Sequence, residues 1–204
     1  MIVSQHTDGV SGDFKEIGDI YINNHNVVAA TVTLNSGIPA IIKADTNGYT
    51  LIDIQDVNVR FNFSAVSIND AGLVAFKAQE SSAQAGYSQV SVFTGDGINP
   101  VQKALPLPAD GNIGTGTAIN RFNEIAAITS SSLVIGSGGS IVGTIVDCAT
   151  SPFAPDKGPT RLAMNNSADV VFQASTTSAG SGLYFGDDAV DDKLIQSGTH
   201  CLGR

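Results

Sequence analysis

Short apolar runs separated by clusters of Asn, Gly, Asp and Ser cover this chain, and the pattern recurs. Four segments align: Ile22-Asn23-Asn24-His25-Asn26-Val27-Val28-Ala29-Ala30, Ile68-Asn69-Asp70-Ala71-Gly72-Leu73-Val74-Ala75-Phe76, Ile119-Asn120-Arg121-Phe122-Asn123-Glu124-Ile125-Ala126-Ala127, and Met164-Asn165-Asn166-Ser167-Ala168-Asp169-Val170-Val171-Phe172. The first Asn returns at 23, 69, 120 and 165, at intervals of 46, 51 and 45 residues. A fixed period of this size marks a repeat architecture, in which one supersecondary unit is stacked on the next. The long interval has a local source. The second unit carries a polar loop over 79–89, where the first has only Asn35-Ser36-Gly37. An insertion confined to a loop leaves the core of its unit intact.

Within each unit, apolar runs bounded by turn residues predict four strands, a to d. They fall at 18–22, 27–34, 38–44 and 49–54 in the first unit and at 65–68, 73–78, 90–94 and 100–105 in the second. The third gives 115–119, 124–129, 133–136 and 141–146, and the fourth 161–164, 169–174, 183–185 and 193–196. The units are read as 10–56, 57–107, 108–152 and 153–199 of a single domain over 1–204. Several b strands are continuously apolar, as in Leu73-Val74-Ala75-Phe76, which requires cover on both faces. Four-stranded sheets covered on both sides and repeated at a fixed period predict an all-β, β-propeller-like array of four antiparallel blades. A β-sandwich gives no reason for the period. Ile2-Val3-Ser4-Gln5-His6-Thr7 resembles Leu194-Ile195-Gln196-Ser197-Gly198-Thr199, so the chain reads as a length cut from a periodic array. It closes as a four-bladed ring, or pairs with a second copy to complete a larger one.

The aligned segments also predict one turn geometry. Asn-x-x-Gly between two strands fits a hairpin built from a type I turn followed by a residue with φ > 0. Asn23, Asn69, Asn120 and Asn165 suit the first position, because the side chain accepts a backbone N–H two residues on. Asn26, Gly72 and Asn123 suit the left-handed position, whereas Ala168 does not, so the fourth turn is expected to be strained or rebuilt.

Composition narrows the function. Charged residues are only 14% of the chain and the net charge is −9. That sign repels a phosphate backbone and an anionic membrane surface, which argues against nucleic acid as a partner. The sequence has no apolar run long enough to span a bilayer, and its first residues lack the basic and apolar regions of a signal peptide.

The second unit, Asn69-x-x-Gly72-x-x-Ala75-Phe76, resembles the bacterial tandem NxxGxxAF-repeat proteins, and the resemblance extends over nearly the whole chain in four copies. Only the second copy is complete. Asn26, Asn123 and Ala168 replace the Gly, Ala30 and Ala127 replace the Phe, and Val171 replaces the Ala. The resemblance implies a secreted or cell-surface location and brings no established activity, which leaves a non-enzymatic interaction or display module as the leading function.

The candidate chemistry is sparse. Asp45-Thr46-Asn47-Gly48, Thr94-Gly95-Asp96-Gly97 and Gly186-Asp187-Asp188 fall at c–d turns, and Asp191-Asp192 adds acidity near the last. Carboxylate-rich loops of this kind can ligate Ca²⁺, which makes Asp187, Asp188, Asp191 and Asp192 the best metal candidates. Asp and Gly are equally what tight turns need, so no cofactor is expected. The histidines lack metal-ligand spacing, no GxSxG elbow is present, and no helix follows Gly136-Ser137-Gly138-Gly139 to cradle a phosphate. A pair of facing carboxylates would make a glycan-directed hydrolase, which with a carbohydrate-binding propeller of clustered carboxylates forms the alternative function; the absence of Trp and an aromatic share of 6% weigh against the carbohydrate-binding form. In an up-and-down blade the b–c loops and d–a connections share a face. That face carries the long segments 79–89, 106–114 and 147–159, and is the expected binding surface. Tyr87, flanked by Gln84 and Gln89, offers it an aromatic and amide handle for a protein or glycan ligand. Cys148 and Cys201 follow the d strands of neighbouring units, which allows a disulfide or two separate thiols.

Overall fold

The computed structural model describes residues 14–56, 59–81, 89–107, 116–129, 132–153, 159–176, 180–186 and 190–196. These form sixteen strands in four sheets. Each sheet is a four-stranded antiparallel meander whose strands pair in chain order. Unit 1 holds β1 (Phe14–Ile22), β2 (Val28–Leu34), β3 (Pro39–Asp45) and β4 (Gly48–Ile54). Unit 2 holds β5 (Arg60–Ile68), β6 (Val74–Glu80), β7 (Gln89–Gly95) and β8 (Gln102–Pro106). Unit 3 holds β9 (Thr117–Ile119), β10 (Ile125–Ile128), β11 (Ser132–Ser137) and β12 (Ser140–Asp147). Unit 4 holds β13 (Arg161–Met164), β14 (Val170–Thr176), β15 (Gly180–Tyr184) and β16 (Lys193–Gln196). The all-β, propeller-like architecture is the one the repeat demands.

The strands depart from the simple pattern in two places. β1 and β5 begin four or five residues before the apolar run that announces them. Their early halves are bulged, with register shifts between Phe14 and Glu16, Ile17 and Ile20, Phe61 and Ser64, and Ser64 and Ser67. Asn62 and Ala65 take φ of 54° and 51° there. A bulge breaks the two-residue alternation by which a strand is recognised. In unit 3, Gly138 and Gly139 have φ of 58° and 89°. Two consecutive left-handed residues make the tight hairpin that joins β11 to β12, a geometry open to glycine at little cost.

The core lies between sheets rather than within one. Successive residues of a strand point to opposite faces, so the apolar run of β6 serves two joints. Val74 and Phe76 pack with Phe93 against Ala29, Ile41 and Ile52 of unit 1. Ala75 faces the other way, packing with Val92 and Leu105 against Ile119, Ile125 and Val134 of unit 3. The third joint sets Ala126, Leu133 and Val146 against Leu162, Phe172 and Tyr184. Arg60 adds a bidentate bond to Asp53 across the first joint, at 2.7 and 3.2 Å. The inner strands touch in order, β1 to β5, β5 to β9 and β9 to β13. Among the described residues, no apolar cluster joins unit 4 back to unit 1.

The joint between units 2 and 3 holds one buried cation. Lys77 is fully buried, and its Nζ donates to the carbonyl oxygen of Ile128. Burial penalises the ammonium and draws its pKa down to about 7.

Candidate functional site

The four a–b turns are built alike. The leading Asn donates its N–H to the carbonyl of the residue four positions on, at 3.0 to 3.1 Å in Asn23–Val27, Asn69–Leu73, Asn120–Glu124 and Asn165–Asp169. Its carbonyl also accepts the N–H of the third residue on, which is Asn26, Gly72, Asn123 or Ala168. Those four residues take φ of 59°, 79°, 63° and 64°. The side chain completes the turn from inside. Asn23 Oδ1 accepts from the N–H groups of His25 and Val27 at 3.0 and 2.9 Å, and Asn165 Oδ1 accepts from Ser167 and Asp169 at 2.9 Å each. Ala168 therefore keeps the common geometry and bears its strain, rather than rebuilding the turn.

The Asn side chain has a second task. Asn23 Nδ2 donates to the carbonyl of Asn69 at 2.9 Å, and Asn69 Nδ2 donates to the carbonyl of Asn120 at 3.1 Å and to Asn123 Oδ1 at 2.9 Å. One amide thus caps its own hairpin and fastens it to the next. The following position makes a parallel row. Asp70 accepts from the N–H and Nδ2 of Asn24 at 3.1 and 3.0 Å, and Asn166 Oδ1 accepts from the N–H of Arg121 at 3.1 Å. The amide donors of Asn24, side chain first and backbone second, hold the Asp70 carboxyl below its usual pKa.

Among the described residues, two depressions open on this turn face. The first, of about 310 Å³, is ringed by the paired polar positions of all four turns. Ile22, Ile68, Ile119 and Met164, each the residue before the leading Asn, line it as well. Phe122 follows the lining residue Arg121 in the third turn; it is 58% exposed, with the Arg121 guanidinium 4.5 Å from its ring centroid. The second depression, of about 440 Å³, lies between the a–b and c–d turns of unit 1 and the a–b turn of unit 2. It brings together His25, Lys43, Asp45, Tyr49 and Asp70.

The described depressions thus sit on the face opposite the long loops that the sequence favours. Tyr87 and Gln84 lie outside the described residues. Gln89 is exposed at the start of β7, and its Nε2 donates to the carbonyl of Leu107 at 3.1 Å. Of the acids near the last c–d turn, Asp187 and Asp188 lie outside the described residues, and Asp191 is exposed. Asp192 is half-buried, and its carbonyl accepts from the N–H of Phe185 at 2.9 Å.

The other acidic turns are occupied with their own backbone. Asp45 Oδ1 accepts from the N–H of Asn47 at 2.7 Å. Asp96 Oδ1 accepts from the N–H groups of Ile98 and Asn99 at 2.8 Å each, which hold its pKa down to about 2. Gly97 in that turn has φ of 76°, and a Cβ there would meet Thr50 Cγ2 at 2.4 Å. The Gly-Asp-Gly sequence lets the turn lie directly on unit 1. Cys148 is buried in the third joint, where burial and the neighbouring Asp147 push its thiol pKa up; Cys201 lies outside the described residues. The polar row Asn24, Asp70, Arg121 and Asn166 forms one aligned column of the repeat, but each member alone carries no signal in the sequence beyond that of a turn residue.

Comparison with protein-family models and with curated proteins gives no match. Among solved structures, the chain is similar to a gluconolactonase from Xanthomonas campestris, with a TM-score of 0.53 and 10% identity. The similarity covers 83% of this chain and 56% of the gluconolactonase, so the chain spans little more than half of that protein. At this identity the likeness is one of fold.

Proposed function

We propose that this protein is a non-catalytic interaction module whose a–b turn face takes a neutral, hydroxyl-rich ligand, with glycans as the chemical class. The observation that carries the reading is the depression ringed by Asn23, Asn69, Asn120 and Asn165 and by the second polar row. Amides both donate and accept, as sugar hydroxyls do. Asn24 commits Nδ2 to Asp70 and retains Oδ1 as an acceptor; Asn166 accepts from Arg121 and retains Nδ2 as a donor. One Asp and one Arg in the second row offset each other, which favours an uncharged ligand. The isoleucines of the depression, and the exposed Phe122 ring next to Arg121 in the third turn, supply apolar surface for the C–H face of a sugar. The acids of the two depressions serve turns and joints. A carboxyl held below its ordinary pKa, as Asp70 is, suits an acceptor and not a general acid.

The resemblance to secreted repeat proteins supports an extracellular setting, where glycans are at hand. A glycan array probed with the whole protein, followed by calorimetry on the strongest hit, tests the reading. Asn24→Ala with Asn166→Ala is expected to weaken binding at least tenfold and leave the fold intact, since both residues are exposed. The second reading, a hydrolase, draws on the likeness to a gluconolactonase. Sugar-lactone turnover by the wild type that is lost in Asp70→Asn would put hydrolysis in place of binding.

A further inference from the structure

One position breaks the pattern of the joints. In each of the first three units an Ala of the second strand, Ala29, Ala75 or Ala126, pairs with one residue of the third strand. Those partners are Lys43, Thr94 and Ile135. Units 2 and 3 thus make their joints with a hydroxyl or an aliphatic side chain at this place, whereas unit 1 puts a charge there. The packing of the repeat does not call for it.

Lys43 shares a face of β3 with Ile41, which packs on unit 2, and with Asp45. Both Lys43 and Asp45 line the second depression, and both are half-buried. The ammonium leans toward unit 2, where a Cβ added to Gly72 would lie 3.8 Å from Lys43 Nζ. Among the described residues it makes no hydrogen bond or ion pair. Asp45 stands two residues along the strand, about 7 Å away at the backbone. Its Oδ1 and Oδ2 accept from the N–H and Nδ2 of Asn47 at 2.7 and 3.4 Å, which leaves part of a carboxylate's acceptor capacity unused. The equivalent Asp96 makes the same kind of turn bond, to the N–H of Ile98, with Thr94 in the place of the lysine. Asp70, on the far wall, meets the two donors of Asn24 with one oxygen each.

The depression therefore offers a positive and a negative group to one space without pairing them. A ligand with a carboxylate alone would meet Lys43 against the charges of Asp45 and Asp70. An amine alone would meet the acids against Lys43. A ligand that carries both charges on neighbouring atoms satisfies both, through charge-assisted hydrogen bonds. Val27 and Ala71 add a small apolar wall, and the volume of about 440 Å³ suits a small molecule. We infer that the second depression binds a free α-amino acid as its zwitterion, with the carboxylate on Lys43 Nζ, the ammonium on Asp45 and an aliphatic side chain against Val27 and Ala71. The site adjoins the first depression, with which it shares Asn23 and Asp70, but takes a different class of ligand.

Titration of the ¹⁵N-labelled whole chain at neutral pH with three probes tests this. Leucine carries both charges, leucinamide lacks the carboxylate and 4-methylpentanoate lacks the ammonium. Leucine should shift the backbone amides of Lys43, Asp45 and Gly72 and saturate in the millimolar range, and the other two should bind at least tenfold more weakly. Lys43→Thr installs the residue that unit 2 holds at this place, so the far-ultraviolet spectrum should not change. It should weaken leucine at least tenfold and leave leucinamide no weaker. Asp45→Asn keeps an acceptor for the N–H of Asn47 and should also weaken leucine at least tenfold, while 4-methylpentanoate binds no less well. The second variant carries the test if the first does not fold. No saturable response to leucine, equal responses to the three probes, or leucine binding that survives either substitution overturns the inference.

Discussion

Ala168 sits at φ 64° in a turn where the other three units place Asn26, Gly72 and Asn123. A left-handed alanine sets its Cβ against the following carbonyl oxygen, at a cost of about 1–2 kcal/mol. Replacing it with glycine removes that cost. Glycine also gives the unfolded chain more freedom, which returns about 0.4–1 kcal/mol in the opposite direction. Ala168→Gly should therefore stabilise the protein by a net ~0.5–1 kcal/mol. Gly72→Ala is the mirror experiment. Gly72 has φ of 79°, and a Cβ there would meet only Lys43 Nζ, at 3.8 Å, so strain rather than collision sets the effect. It should destabilise by a similar ~0.5–1 kcal/mol. Urea unfolding of the two variants and the wild type reads both changes as midpoint shifts at constant slope. A destabilised Ala168→Gly, or a neutral Gly72→Ala, would refute the common geometry assigned to the four turns.

Asn69→Ala orphans the N–H of Leu73 and removes one of the two bonds to the Asn120 carbonyl, and should cost ~1–3 kcal/mol, whereas Asn165→Ala, an exposed residue whose side chain bonds within its own turn, should cost about half as much; urea midpoints compare them. Tyr184 is fully buried and its hydroxyl has no partner among the described residues, so Tyr184→Phe should raise stability by up to ~1 kcal/mol in thermal melts. Lys77 has a folded pKa of about 7 against 10.5 in the free side chain, so between those values the unfolded chain holds more protons and stability must rise with pH. The slope is at most about 1.4 kcal/mol per pH unit, reduced by the bond to the Ile128 carbonyl, which favours the ammonium; Lys77→Met should flatten it in urea titrations from pH 7 to 9.

The strands and the turns were legible because each is a local pattern. A run such as Leu73-Val74-Ala75-Phe76 declares burial on both faces, and Asn-x-x-Gly declares a left-handed fourth residue. The bulged beginnings of β1 and β5 were not legible, since residues such as Asn62 and Ala65 break alternation without leaving a turn signal. The double use of Asn69 was half legible. Its bond to Leu73 spans four residues and follows from the turn, but its bond to Asn120 spans 51 and exists only once the units are stacked. The same reason hid the polar row. Asn24 and Asp70 read as ordinary turn residues until the repeat sets one against the other. Sequence directed attention to the longest loops, because length variation is visible along a chain and convergence of four short turns is not. The burial of Lys77 was likewise out of reach, since a lysine in a strand ordinarily reads as solvent-facing.

Side-chain amide resonances give the most direct test of the binding reading. A ¹⁵N-labelled sample titrated with the best neutral glycan from the array reports the Nδ2 groups of Asn24 and Asn166 and the Arg121 side chain, while the glycan's own proton spectrum reports any bond cleavage. The expected result is saturable shifts confined to those groups and to Phe122, with the glycan unchanged after a day. Shifts centred on Gln89 and the loop face, or steady conversion of the glycan to products, would contradict it.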